Sequence, residues 1–234
     1  MSLFVVGTLV VLALLAWATY HTAQALRETR PDFNLLLLPA ENFLRLALIA
    51  VCVWLGRTSG LSHAQLGWEW ADASRDVVIG VGAGIFVALI LPSLAHRAVA
   101  RFGAGVYSPI VILCILPRNA REWLLVPLAL VPAVLLEELL FRSLLLGGLA
   151  IFVSPFVLAI AWSLIFGAMH SPQGALGIVV AAALGLLLSA LFLATASLLA
   201  PFLAHYVINF LQLVWASRDK TWLEKYATNT SSRS

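Results

Sequence analysis

Apolar and polar positions in this chain are segregated by whole segments rather than by single residues. Near-continuous apolar stretches occupy 3–21, 41–57, 77–96, 122–149, 155–170, 174–191 and 197–216. Runs of this length match a helix that crosses a bilayer. The pattern therefore predicts an all-α, polytopic bundle of transmembrane helices with about seven spans. An eighth stretch, 106–117 (VYSPIVILCILP), covers roughly 18 Å as a helix against a hydrocarbon core of about 30 Å. It carries a proline near each end and is expected to be interfacial or re-entrant; if it crosses, the count becomes eight. The first stretch has no Lys or Arg before it and no small-x-small cleavage signal after it, which reads as a retained helix. Pro127 and Pro132 predict tilt or a kink in the long 122–149 span. The short 155–170 stretch needs shielding by neighbours. Gly80, Gly82 and Gly84, and again Gly177 and Gly185, predict close helix–helix packing.

Composition agrees. Of 234 residues, 62% are hydrophobic, with only 14 Lys or Arg and 11 Asp or Glu, and the mean hydropathy is +1.00. Ordinary globular domains are about 25% charged, so a soluble enzyme is excluded and an integral membrane protein is expected. The basic residues form no run, which removes support for nucleic-acid binding. Cys52 and Cys114 lie in apolar segments and are expected to be buried free thiols, with neither a disulfide framework nor a zinc knuckle.

The charges also set an orientation. If 106–117 does not cross, one side receives Arg27, Arg30, Arg97, Arg101, Arg118, Arg121, Arg218, Lys220, Lys225 and Arg233, and the other only Arg57 and Arg75. The positive-inside rule then places the N-terminus outside and the C-terminus in the cytoplasm of a plasma or inner membrane. The longest loop, 58–76, carries Trp68 and Trp70, which fit an interfacial anchor. Three regions are expected: anchoring helices over 1–121 with the interfacial segment 106–117, a chemistry-bearing helix core over 122–216, and a polar cytoplasmic tail over 217–234.

Ionisable residues inside apolar spans are expensive, about 2.5–3.5 kcal/mol each at a helix centre on the mild scales. Glu137, Glu138 and Arg142 all lie inside the fourth span. Glu138 and Arg142 are one turn apart with the acid first, the favourable order for an ion pair. Glu137 points elsewhere round the helix and is expected to face a cavity. Two adjacent carboxylates in a dry bundle cannot both ionise cheaply, and a carboxylate biased toward neutrality suits general acid–base work. Phe166 and His170 close the fifth span; His205 and Asn209 share a face of the seventh. Taken singly, these groups have structural readings: an ion-pair knot, an interfacial cap, a helix–helix bond. Together they supply a carboxylate, two imidazoles and a carboxamide. A carboxylate with a histidine can deprotonate water, and a histidine with an asparagine can hold an oxyanion.

The order of these residues resembles a known family. Glu137, Glu138, Leu139, Leu140, Phe141 and Arg142 read as EExxFR, Phe166 and His170 as FxxxH, and His205 and Asn209 as HxxxN. Thr195, Ser197 and Leu198 resemble the short polar turn that often precedes the last motif. The set is similar to the CAAX prenyl protease 2 and bacteriocin-processing (CPBP or Abi) family of intramembrane glutamate proteases, over roughly 122–212. Ser143 stands where the family usually has Gly and is expected to loosen packing slightly without removing a catalytic group. The resemblance implies a CAAX prenyl protease 2-like core and a metal-independent endopeptidase without a cofactor. It implies that Glu137 and His170 activate water, Glu138 and Arg142 support that centre, and His205 and Asn209 stabilise the oxyanion. The implied partners are the bilayer and a membrane-associated, lipidated or peptide substrate. Two other readings stay open. Glu137, His170 and His205 supply three potential zinc ligands with a fourth position for water. A membrane scaffold or immunity protein would keep the same residues for binding alone.

Overall fold

The computed structural model of the chain describes residues 1–28 and 31–224. Arg30, Lys225 and Arg233 of the charge count above lie outside the described residues, as do the side chain of Arg27 and the tail beyond residue 224. The helices are α1 (Ser2–Glu28), α2 (Pro39–Thr58), α3 (Ala73–Phe102), α4 (Ile110–Ile115), α5 (Ala120–Glu138), α6 (Pro155–Met169), α7 (Gly174–Thr195) and α8 (Leu199–Arg218). After α5 the chain stays helical through a wide π-wound segment, Leu139–Gly147, and a tight 3-10 turn, Gly148–Ile151.

Local chemistry sets the boundaries. Asp72 and Asn119 accept the backbone N–H groups of Arg75 and Glu122 at the starts of α3 and α5, satisfying donors that a helix start leaves open. Proline stands in the first turn of α2 and α6, where its missing N–H costs nothing. Gly103, at φ +87°, ends α3. Helix α5 runs through Pro127 and Pro132 and first departs from α geometry at Leu139, so the predicted disturbance falls after the prolines rather than at them.

Among the described residues, six helices are long and apolar enough to cross a membrane, and Pro155–Met169 is a shorter apolar helix. Val78, Phe86, Leu89, Leu124, Leu128 and Phe156 are exposed on the outside of the bundle. Such a continuous apolar exterior fits lipid rather than water. This is a multi-pass, all-α membrane protein. The 106–117 stretch does not form one helix; it breaks into a 3-10 turn at Ala104–Val106 and the six-residue α4, whose rise of about 9 Å is far below a bilayer core.

Contacts divide the bundle into two ends. At the first, Ser143 Oγ and Leu198 N donate to the carbonyls of Leu66 and Gly67, Arg75 donates to the Thr195 carbonyl, and Phe4 packs at Gly148. At the second, Arg118 donates to the carbonyls of Pro31, Asp32 and Phe33, Ser108 N donates to the Gln173 carbonyl, and His96 meets Asp219 at 2.9 Å. Helices α1, α2, α3, α5 with its π extension, α6, α7 and α8 each run from one end to the other, while α4 lies wholly at the second.

Glycine carries the tightest packing. A Cβ at Gly80 would stand 2.5 Å from the Ala200 carbonyl oxygen, and one at Gly84 2.9 Å from that of Ala204. With His96 beside Trp215 and Asp219, these contacts make α3 and α8 parallel neighbours in register. Gly167 packs against Ile178 and Ala182, and Gly185 against Ser163, which makes α6 and α7 antiparallel. Gly82 meets nothing within 4 Å; its two neighbours in the pattern, not Gly82 itself, mark the contact.

Two other expectations change. Trp70 is exposed as an interfacial anchor requires, but Trp68 turns inward against Gly56 and Leu66 of the core. Ser143 is fully buried, and its hydroxyl donates 2.8 Å to the Leu66 carbonyl; it ties the 61–67 loop down where a loosening was expected. Cys52 and Cys114 are both buried, as expected.

Candidate active site

The EExxFR stretch holds two fully buried charges. Glu138 and Arg142 are 0% and 1% exposed, and Arg142 Nη1 donates 3.0 Å to Glu138 Oε1. Helix spacing makes this pair local, but its cost of burial needs more partners. Arg142 Nη2 donates 3.2 Å to the carbonyl of Gly185 on α7, an approach that the absence of a side chain there permits. The guanidinium also lies 5.0 Å from the Phe166 ring centre and 5.9 Å from that of Phe141, within cation–π range. The pair forms where its one-turn spacing predicts; the Gly185 carbonyl and the aromatic walls carry no such local signal, although Phe141 and Phe166 stand within the motifs.

The π-wound segment begins one residue after Glu138 and holds Phe141, Arg142 and Ser143, all buried. Wide turns of this kind collect at functional sites. Here the winding delivers three successive side chains to three neighbours: Phe141 to Phe166, Arg142 to Gly185 and Ser143 to Leu66.

Helix α8 closes the centre from the other side. His205, itself buried, brings Nδ1 to 2.7 Å from Glu138 Oε1 and Nε2 to 3.7 Å from Glu137 Oε2. One carboxylate oxygen of Glu138 thus serves both Arg142 and His205, while its Oε2 is buried without a hydrogen-bond partner. Glu137 is different. Its side chain is 33% exposed, and its contact with His205 is the one ion pair it makes among the described residues.

His170 caps the end of α6. Its Nδ1 lies 2.7 Å from the Phe166 carbonyl oxygen. A carbonyl only accepts, so Nδ1 carries the proton and Nε2 of the neutral ring is left as an acceptor. The ring is half-buried and packs on Phe166 at 4.6 Å, while Phe166 meets His205 edge-on at 6.0 Å. Phe166 is thus the shared wall of both histidines. Glu137 and His170 do not approach within ion-pair distance of each other; the imidazole that meets Glu137 is His205. Asn209 lies one turn beyond His205 on α8, half-buried, and its carboxamide makes no hydrogen bond among the described residues.

Among the described residues, no three His, Cys, Asp or Glu side chains are arranged to hold a metal ion. Both nitrogens of His205 already face carboxylates, so the trio Glu137, His170 and His205 is not a ready donor set.

Residues 119–211 match a family model described as Rce1-like, the type II CAAX prenyl endopeptidases. The match covers somewhat under half of the chain. It begins at the cap of α5, runs into α8 and contains all six residues named above. The resemblance read from the three motifs therefore stands over this segment. No curated protein and no solved structure matches the chain.

Proposed function

We propose that this protein is an intramembrane endopeptidase that hydrolyses a peptide bond of a membrane-associated or lipidated protein or peptide, without a metal. One observation carries the reading. Of two adjacent carboxylates, Glu138 is consumed by Arg142 and His205, whereas Glu137 remains half-exposed and free to act as a base.

In this reading Glu137 takes a proton from water oriented by Nε2 of His170, and the water oxygen adds to the substrate carbonyl carbon. His205, protonated, keeps Nδ1–H on Glu138 and turns Nε2–H to the space beside Glu137. There it and the Asn209 carboxamide stabilise the oxyanion, which donors fixed in a dry site do better than water. Collapse breaks the C–N bond, and the proton held by Glu137 passes to the leaving amine. Arg142 touches no substrate; it holds the Glu138 carboxylate in place, and Glu138 in turn orients His205 through Nδ1.

The topology that goes with it has seven crossings, with α4 at the second end. The parallel run of α3 and α8 supports this count: three crossings between them keep the two helices in the same direction, and four would oppose them. The second end holds Arg97, Arg101, Arg118, Arg121, Arg218 and Lys220, and is the cytoplasmic one by the positive-inside rule. His170 opens toward it.

The test is peptidomics of membranes that carry the wild type, Glu137→Ala or His170→Ala. A product present with the wild type and absent with both variants, at equal protein levels, is expected. Cleavage that survives in both variants refutes the mechanism. Partner binding or protection that persists in Glu137→Ala without any product would favour the scaffold reading, and stoichiometric zinc lost together with activity would favour a metallohydrolase.

A further inference from the structure

Arg45 lies inside the apolar span of α2, and the proposed chemistry makes no use of it. It belongs to the stripe Glu41, Asn42, Arg45, Leu48, Ile49 and Cys52, whose helical spacing runs along the covered face of α2. Phe43, Leu44, Leu46 and Ala47, between these positions, are exposed. Leu48, Ile49 and Cys52 pack in one cluster with Leu136, Leu139 and Leu140, which flank the glutamate pair. Arg45 continues the same face by one turn toward the second end, and its side chain is only 20% exposed. A cation turned inward within a span is expensive and calls for an anionic partner.

The side chain is held in place from the second end. Asn42 Nδ2 donates 2.8 Å to the Leu36 carbonyl and 3.0 Å to that of Leu38. With its amide nitrogen so occupied, Asn42 presents Oδ1 to Arg45 Nη1 at 3.4 Å. The turn that fixes Asn42 is tied to the start of α5: Asn34, its cap, donates 3.0 Å to the Ile115 carbonyl and 3.3 Å to Glu122 Oε2. Helices α2 and α5 therefore set out side by side from one anchored turn. The local partners leave most of the charge uncompensated. Glu41 Oε2 stands 3.6 Å from Arg45 Nη2 on a side chain 45% exposed, a pair of the kind that contributes little. Across the gap, Glu137 lies within electrostatic reach of the guanidinium and beyond contact distance. Glu137 thus stands between cations on two other helices. From α8, His205 Nε2 approaches to 3.7 Å, too far for a hydrogen bond; from α2, Arg45 attracts the same carboxylate. Glu138 and Arg142 of its own strand of helix complete the charges around it. A carboxylate drawn by both cations and bonded to neither keeps its oxygens open to water.

We propose that Arg45 is a positioning residue for Glu137: its charge draws the carboxylate toward α2 and keeps it from closing on His205 Nε2. Glu137 is thereby left to water, and Nε2–H to the oxyanion. This rests on the endopeptidase reading and adds to that site a component from outside the matched segment 119–211.

The experiment reads the His205 ring directly. The full chain, carrying isotope-labelled histidine, is placed in phosphatidylcholine bilayers for solid-state NMR, and the His205 signals are identified by their loss in His205→Gln. Arg45→Met keeps an unbranched side chain of similar length and deletes the charge. It is expected to let Glu137 close on the ring, so that the Nε2 proton signal moves downfield, and this shift should vanish when Glu137→Gln is added. Arg45→Lys keeps a cation and should return the signal to its wild-type position. Arg45→Gln repeats the loss of charge with a polar side chain, should methionine disturb α2. In cleavage assays Arg45→Met should lower kcat about tenfold with KM within about twofold, and Arg45→Lys should recover to within about threefold of the wild type. An Nε2 proton unmoved in both neutral variants overturns the proposal. So does cleavage lost equally in the lysine and methionine variants at unchanged melting temperature, or a loss carried by KM alone. A wild type that cleaves nothing refutes the endopeptidase reading alone, since the spectrum needs no turnover.

Discussion

Replacing Arg142 by Met tests the account of the buried centre most directly. The change keeps an unbranched side chain of similar length and deletes the charge, the bond to Glu138, the bond to the Gly185 carbonyl and the contacts over Phe141 and Phe166. Breaking a buried pair by removing one member costs about 3–5 kcal/mol, because the other charge is left without compensation. His205 still faces Glu138 Oε1 at 2.7 Å, which sets the expected loss at the lower limit, about 3 kcal/mol. For a chain of this size that corresponds to a melting temperature lowered by about 6–12 °C. The assay is built into the protein: the thiols of Cys52 and Cys114 are fully buried, so a thiol-reactive fluorogenic dye in detergent reports unfolding. Changing Glu138→Leu and Arg142→Met together removes the stranded carboxylate, and the double variant should regain at least about half of the loss. The reasoning fails if Arg142→Met melts within about 2 °C of the wild type, or if the double variant loses the sum of the two single changes.

Further outcomes follow from other contacts. Arg142→Lys should also destabilise, by about 1–3 kcal/mol in the same melt, because an ammonium cannot bond Glu138 and Gly185 at once in the planar fork that lies over Phe166. Gly84→Leu should part α3 from α8 and cost about 1–3 kcal/mol or more, since even a Cβ stands 2.9 Å from the Ala204 carbonyl oxygen. Ser143→Ala leaves the Leu66 carbonyl without its donor and should cost about 1–3 kcal/mol while cleavage is kept. Asp72 is held below the ordinary carboxylate range, chiefly by the backbone N–H of Arg75 and also by the hydroxyl of Ser74. Its capping contribution is therefore complete above the ordinary carboxylate value of about 4 and is lost as pH falls through the lowered folded value. The melting difference between wild type and Asp72→Ala should be constant above about pH 5 and shrink toward acid. For orientation, Ser62→Cys should react with an impermeant maleimide on intact cells and Ser217→Cys only after lysis; the reverse result inverts the topology.

Spans were legible because lipid demands long apolar runs, and the proposed site residues because charge is so expensive within them. Glu138 and Arg142 met as their spacing required, and His205 came to the same carboxylate from a span that begins some sixty residues later. Which faces pack was much less legible. A helix such as α7 is apolar all round, so polarity does not mark its inner side; small residues such as Gly80, Gly84 and Gly185 mark it instead. Partner choice was the least legible. His205, not His170, meets Glu137, because packing on the shared wall of Phe166 sets where each ring stands. The run LLFRSLLLG contains no proline and no internal glycine to announce a change of winding, and Trp68 and Trp70 are of one residue type, with loop geometry alone sending the first inward.

The π-wound segment has a consequence for how this chain tolerates insertions and deletions. An ordinary helix can lose a residue near a loop, and the loop absorbs the phase change. Here Phe141, Arg142 and Ser143 each engage a different neighbour, from α6, from α7 and from the loop before α3. Deleting one leucine from Leu144–Leu146 would let the chain relax toward α winding. The hydropathy profile would hardly change, yet the angular relation between Glu138, Arg142 and the three neighbours would be lost. Among homologues, length between the second glutamate and Gly147 should therefore be held more strictly than the identity of the leucines that fill it.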